Sequence, residues 1–366
     1  MISKACIVGQ YQTKLQALAS HPDIELTVVV PPFWKDERGI TLLERAHTEG
    51  YTLLVAPIAL QGHFHTHYYP TLPRILGDVL PEIVHIDEEP YNLATFLGVW
   101  ACRHTSTRPL FFTWQNLSRR YPLPFSWFEA YTYEHSACAI AGTAEAAHVL
   151  SDKGFRRPVH IIPQFGVDPH TFVRARPISP PGPFTIGFAA RFVEEKGAQV
   201  LISAVAGLGG EWQLRLLGSG PLQKRLQAQV TELGLQDRVF FDAPRASLDM
   251  PAFFNQLDVF VLPSLTRPNW KEQFGRVLVE AMSCGIPVVG SNSGEIPNIV
   301  GDAGLIFPEG AVPALTSVLD RLMHNRALAE ELGERGRARV LEHYTQDIVA
   351  AETYAVYRQL LSGRPA

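Results

Sequence analysis

Two glutamates, Glu272 and Glu280, frame the run Glu272-Gln-Phe-Gly-Arg-Val-Leu-Val-Glu280-Ala-Met-Ser-Cys-Gly-Ile-Pro287. Gly275 closes a loop rich in turn formers, Pro263-Ser264 and Pro268-Asn269, and the pattern predicts a helix from about Arg276 to Cys284. Gly285 then stops the helix and Pro287 opens the next strand. Glu272 precedes the helix and Glu280 lies within it, so the two are at most roughly 12 Å apart. Carboxylates at that separation can accept hydrogen bonds from two distinct polyols, such as a hexose and a ribose. The amides of Phe274, Gly275 and Arg276 open the helix between them, and a helix N-terminus favours a phosphate. One segment thus offers a receptor for each part of a sugar-diphosphate-nucleoside. Two glutamates at this spacing, taken alone, are more often solvated.

A second group of charges sits in Gly187-Phe-Ala-Ala-Arg191-Phe-Val-Glu-Glu-Lys196-Gly197. A strand ending near Phe188 would leave Arg191 and Lys196 on the loop above its C-terminal edge, where open α/β sheets bind ligands. A guanidinium fork and a point charge suit a diphosphate. The plainer reading is a charged helix cap with Glu194 and Glu195.

These words together resemble family 4 of the glycosyltransferases, retaining enzymes of GT-B fold. Glu272 and Glu280 match the E-x7-E pattern, and Arg191, Lys196 and Gly197 match R-x4-K-G. Leu262-Pro-Ser264, Ser293-Gly-Glu-Ile-Pro297 and Asp302-Ala-Gly-Leu-Ile-Phe307 fit the flanking text. The resemblance implies a donor site of Arg191, Lys196, Glu272, Gln273, Phe274, Gly275 and Glu280, with Glu280 on the ribose and Arg191 and Lys196 on the diphosphate. It implies no cofactor and no metal, only a nucleotide-sugar co-substrate of the UDP- or GDP-sugar kind. Many family members carry a His in a T-x-H-x stretch; here Thr113-Trp-Gln-Asn116 puts Gln115 or Asn116 in that catalytic place. The glycine-rich turn after the first strand is replaced by Gln10-Tyr-Gln-Thr13.

In the first half, Glu82-Ile-Val-His-Ile-Asp-Glu-Glu-Pro90 runs from a strand into a turn. It brings His85, Asp87, Glu88 and Glu89 to the sheet edge, either as acceptor-binding groups or as an ordinary acidic helix start. His63-Phe-His-Thr-His67 has strand alternation, which would put three imidazoles on one face; a loop touching the acceptor is the preferred reading over a metal site. Leu217-Gly-Ser-Gly-Pro-Leu222 lacks the third glycine of a dinucleotide fingerprint, and G-x4-G-K-[ST] does not occur.

The elements that must position these groups alternate along the whole chain. Ala5–Val8, Leu26–Val30, Thr52–Val55, Glu82–Ile86, Leu110–Phe112 and Ala137–Ala141 read as buried strands between helical segments. Thr185–Phe188, Trp212–Leu217, Val239–Phe241, Val259–Leu262 and Pro287–Gly290 repeat the design. The expected fold is α/β: GT-B, with two doubly wound Rossmann-like domains facing across a cleft. The expected divisions are an acceptor-binding domain over 1–165, a Pro-rich linker over 166–183 and a nucleotide-sugar domain over 184–345. A last helix over 346–366 is expected to pack back on the N-terminal domain.

At 366 residues, with 46% hydrophobic and 19% charged, the chain can bury two cores. A net charge of −4 argues against nucleic-acid binding. The 4 cysteines show no ligand spacing, and no run is long enough to span a membrane, so a cytoplasmic protein with at most peripheral membrane contact is expected. The resemblance to family 4 implies a metal-independent, retaining hexosyltransferase of polysaccharide biosynthesis, acting on a polysaccharide, lipid-linked or small-molecule acceptor. A GT-B scaffold that binds nucleotide sugar without transferring it, and a nucleotide-sugar epimerase, are the alternatives.

Overall fold

The computed structural model describes residues 1–36, 39–175 and 182–362. The chain divides into two units, Met1–Gly166 with Gln346–Ala366, and Val167–Thr345.

In the first unit β1 (Thr27–Val30) is followed by an antiparallel hairpin, β2 (Phe33–Asp36) and β3 (Gly39–Leu42), and then by β4 (Thr52–Val55), which returns parallel to β1. Strands β5 (Ile83–Ile86), β6 (Arg108–Thr113), β7 (Cys138–Ala141) and β8 (Val159–Ile161) form a second parallel run. Ile2 joins the two runs, bridging in parallel to Val29 and to Ile86. Its amide donates to the His85 carbonyl at 2.8 Å and its carbonyl accepts from Asp87 at 2.9 Å. The sheet therefore reads β4-β1-Ile2-β5-β6-β7-β8.

The strand expected over Ala5–Val8 is not there. Ala5–Ile7 and Gly9–Tyr11 are 3₁₀ turns leading into the helix Gln12–Ala19, and the pairing segment lies earlier, at Ile2. Cys6 and Ile7 are buried all the same, so the short apolar run marks burial without specifying a strand. The hairpin and β8 were not expected. His63–His67 is likewise a series of turns. His63 and His65 are exposed while His67 is fully buried, so the three rings do not share a strand face.

The second unit holds one parallel sheet of 6 strands in the order β11-β10-β9-β12-β13-β14. These are β9 (Phe184–Ala189), β10 (Trp212–Leu217), β11 (Val239–Asp242), β12 (Val259–Leu262), β13 (Val288–Ser291) and β14 (Leu305–Phe307). Val259-Phe-Val-Leu262 is buried end to end, as expected of a strand covered by helices on both faces. The winding reverses between β9 and β12, which leaves a crevice beyond the ends of those strands. If Ile2 is counted as a first strand, the other unit has the same order, with its reversal between Ile2 and β5.

The expected linker over 166–183 is shorter than its prolines suggest. Val167 pairs with Thr345, and Phe172 is fully buried in the second unit, with its carbonyl accepting the Ser283 hydroxyl at 2.8 Å. Residues 176–181 lie outside the described residues. The chain returns to the first unit with the helix Gln346–Ser362, whose Val349, Ala350, Val356 and Tyr357 fill that unit's core.

Candidate functional site

In the second unit, the loop after β9 and the loop after β12 flank the reversal point. Lys196, in a 3₁₀ turn after β9, donates from Nζ to Glu272 Oε2 at 2.7 Å. The Ser264 hydroxyl, just beyond β12, donates to the same oxygen at 2.7 Å. The Lys196 ammonium also stands 4.7 Å from the centre of the Trp270 ring. Glycines allow this closeness. A Cβ on Gly197 would lie 1.8 Å from the Pro263 carbonyl oxygen, and one on Gly294 would lie 2.0 Å from that of Glu272. Both glycines have positive φ, so they fit tight turns as well as tight space.

Gly275, at φ 74°, is the N-cap of the helix Arg276–Ser283, close to the expected Arg276–Cys284. Glu280 lies inside that helix and is 4% exposed. Burial pushes its carboxyl pKa up, and Arg276 one turn earlier, with Nε 2.9 Å from Oε1, offsets part of the rise. Of the residues expected at the donor, Phe274, Gly275, Glu272 and Glu280 are buried in this one segment, and Lys196 is joined to them through Glu272. Arg191 and Gln273 are exposed, Arg191 at the start of the loop that carries Lys196. The side chains of Ser264, Trp270 and Arg276 were not expected as participants; Arg276 was expected only through its amide. Ser264 stood within Leu262-Pro-Ser264, but nothing in its spacing pointed to Glu272.

The first unit has a cavity of about 390 Å³ at its own reversal point, lined by Lys4, Trp34, Phe64, Asp87, Glu88 and Glu89 among others. The Ser3 hydroxyl donates to Asp87 Oδ2 at 2.6 Å, across the Ile2–β5 junction. Lys4 donates to both oxygens of Glu88, and His67 Nε2 lies 3.4 Å from Glu88 Oε1. Glu89 accepts the Thr113 hydroxyl at 2.6 Å and the Trp114 amide at 2.8 Å. Burial alone would raise both glutamates. Lys4 and His67 instead bring Glu88 down to about 2, whereas Glu89, with weaker compensation from Thr113 and Trp114, is pushed up to about 7. His85 does not join this group. It lies inside β5, with its Nδ1 2.7 Å from the Tyr357 hydroxyl on the C-terminal helix, whereas Asp87, Glu88 and Glu89 follow the strand's end at Ile86.

Gln115 and Asn116 are buried beyond β6. The Gln115 amide donates to the Tyr121 hydroxyl at 3.3 Å and accepts from Lys153 Nζ at 3.4 Å; Lys153 is also paired with Glu129. Among the described residues no group of three or more His, Cys, Asp or Glu is arranged to hold a metal ion.

Residues 171–339 match the family described as glycosyl transferases group 1. The chain is 30% identical over 276 residues to the lipopolysaccharide core biosynthesis glycosyltransferase LpsE of Rhizobium meliloti, covering 74% of this chain and 76% of that one. The chain belongs to the group 1 glycosyltransferases. A second relative, the MMP alpha-(1->4)-mannosyltransferase of Mycolicibacterium hassiacum, is 32% identical over 237 residues. The alignment covers 60% of this glycosyltransferase and 53% of that relative, about half its length. The fold is GT-B. Sucrose-phosphate synthase from Thermosynechococcus elongatus superposes with a TM-score of 0.72 at 20% identity, covering 96% of this chain and 93% of that one. Anabaena HepE, in a structure that contains UDP, gives 0.73 at 18% identity, with 99% and 98% covered. No helix of this glycosyltransferase, among its described residues, is long and apolar enough to cross a membrane.

Proposed function

We propose that the protein is a retaining family 4 enzyme that moves a hexosyl group from a UDP- or GDP-sugar to an acceptor hydroxyl, without a metal ion or other cofactor. The observation that carries this reading is the Lys196–Glu272–Ser264 cluster at the β9–β12 reversal, with Glu280 one short helix away. Lys196 and Arg191 neutralise the donor diphosphate, Glu280 accepts from the ribose hydroxyls, and Glu272 orients both Lys196 and the hexose. The Phe274 and Gly275 amides lie toward the phosphate end, with Gln273 beside them.

In the transfer, the anomeric C–O bond to the diphosphate breaks and the nucleoside diphosphate leaves with the electron pair. The acceptor oxygen bonds to the same face of the sugar, and its proton passes to the departing phosphate oxygen. Such a reaction needs hydrogen-bond donors around the leaving group more than a side-chain base. Gln115 or Asn116 would donate where relatives use a His. The acceptor would enter the first unit's cavity beside Asp87, Glu88 and Glu89. Lipopolysaccharide core and colanic acid biosynthesis, named for relatives, favour a polysaccharide or lipid-linked acceptor and work at the cytoplasmic membrane surface.

The amide at Gln115 favours one second reading, a scaffold that binds nucleotide sugar without transferring it. A thermal-shift titration with UDP, GDP, ADP and their hexose conjugates, with Glu280→Ala as control, tests the donor site. Stabilisation by one nucleotide that is lost in the variant supports the site. No response from folded protein to any of them would remove it. Release of free nucleoside diphosphate with an acceptor pool separates the enzyme from the scaffold.

A further inference from the structure

The cavity in the first unit is built for a particular kind of ligand. Lys4 is the one cation that lines it among the described residues, and its ammonium is already held by both oxygens of Glu88. Lys14, the next cation inward, is buried and donates to the Gln164 carbonyl at 2.9 Å. Neither is positioned to receive a phosphate. Asp87 is 5% exposed; its Oδ2 takes the Ser3 hydroxyl, while its Oδ1 is buried with no hydrogen bond of ordinary geometry, though the Gln164 amide is nearby. An ionised carboxylate oxygen with only the Gln164 amide beside it can still accept an O–H or N–H from a ligand. Trp34, Phe64 and Trp114 supply aromatic walls, which suit the C–H face of a sugar ring.

On the proposed reading that the acceptor enters here, we infer that the cavity takes an uncharged pyranose. Asp87 Oδ1 accepts one of its hydroxyls, and the cavity rejects sugars that carry a phosphate. A phosphorylated ring would have to shed its water beside Asp87, Glu88 and Glu89 with no cation to spare, a cost that hydroxyls do not incur.

Saturation-transfer NMR on the whole protein, with nucleotide present, can compare methyl α-glucopyranoside and methyl α-mannopyranoside with glucose 6-phosphate and mannose 6-phosphate. The expected result is that the neutral glycosides bind at least about tenfold more tightly, since unpaired like charges at a binding site are strongly unfavourable. Phe64→Ala, at a ring 45% exposed and therefore tolerant of truncation, should weaken every sugar that binds. Glu88→Gln should release Lys4 and narrow the gap between the two classes. Phosphorylated sugars binding as tightly as neutral ones would overturn the inference and leave the acceptor site standing. Binding of neither class, or binding indifferent to Phe64→Ala, would overturn both, while the nucleotide titration judges the donor site separately.

Discussion

Lys196 and Glu272 meet at 2.7 Å although they sit on loops from different strands, one following β9 and the other following β12. The contact spans the reversal point of the sheet, so the ion pair pins together the two loops. A buried carboxylate losing such a partner is costly, and the loss should be shared between the two residues. In a double-mutant cycle, Lys196→Met and Glu272→Gln are each expected to destabilise the protein. Their combination should cost about 1–3 kcal/mol less than the sum. Simple additivity in urea denaturation would mean that the pair does not act as a unit. Transfer activity of Lys196→Met should fall about 100-fold or more, as for other lost charge-stabilising groups.

Glu280 is buried and its carboxyl is harder to ionise than usual, yet Arg276 keeps a hydrogen bond on one oxygen. Glu280→Ala should weaken nucleotide binding by about 1.5–3 kcal/mol, the worth of a charge-assisted hydrogen bond. Glu280→Gln, which keeps one acceptor oxygen, should lose less. Isothermal titration with the nucleotide chosen by the thermal-shift screen checks both. Equal affinity in wild type and Glu280→Ala would take the ribose role from this residue.

Gly197→Ala offers a backbone test of the same site. The new methyl would sit 1.8 Å from the Pro263 carbonyl oxygen at a φ of 73°. The local strain should lower stability by about 1–3 kcal/mol. Because the turn carries Lys196, activity should fall more than stability does. A variant with wild-type melting and wild-type turnover would show that the turn tolerates displacement.

Glu88 and Glu89 are adjacent but should respond to pH in opposite senses. Glu88, ordinarily near 4.5, is held at about 2, so its ion pair adds stability above 4.5 that is lost as pH falls toward 2. Glu89 is raised from 4.5 to about 7, so its contribution is fully present below 4.5 and is lost as pH rises through 7. The second effect should be on the order of 3 kcal/mol. Glu89→Gln should therefore flatten the fall in stability between pH 4.5 and 7. Urea midpoints across that range measure it, and an unchanged slope would assign the fall to other groups.

The doubly wound architecture was legible because buried parallel strands leave plain apolar runs. Val259–Leu262 and Trp212–Leu217 were found almost to the residue. The first strand was misplaced because Cys6 and Ile7 are as apolar in a buried turn as they would be in a sheet, and the single bridging residue Ile2 leaves no periodicity. Glu272, Glu280 and Lys196 were singled out through the family resemblance, and the fold brings Lys196 and Glu272 together. Their other partners were not singled out. Ser264 and Trp270 reach Lys196 and Glu272 only through the fold, and no sequence period encodes a contact between two strand ends. His85 was misjudged because it has the same parity as Asp87, yet the strand stops at Ile86 and alternation does not govern the residues beyond it.

The helix Gln346–Ser362 also affects how the molecule comes into being. Tyr357 closes on His85 across 272 positions of chain, and the helix fills a core otherwise built from the first 166 residues. During synthesis, then, the earlier unit waits for the later one. The segment Val167–Thr345 is continuous and can complete itself as it leaves the ribosome, whereas the unit that begins the chain stays open until its final helix arrives. Loop closure over that distance is slow, and the exposed seat of the helix is the surface that chaperones or aggregation would meet first.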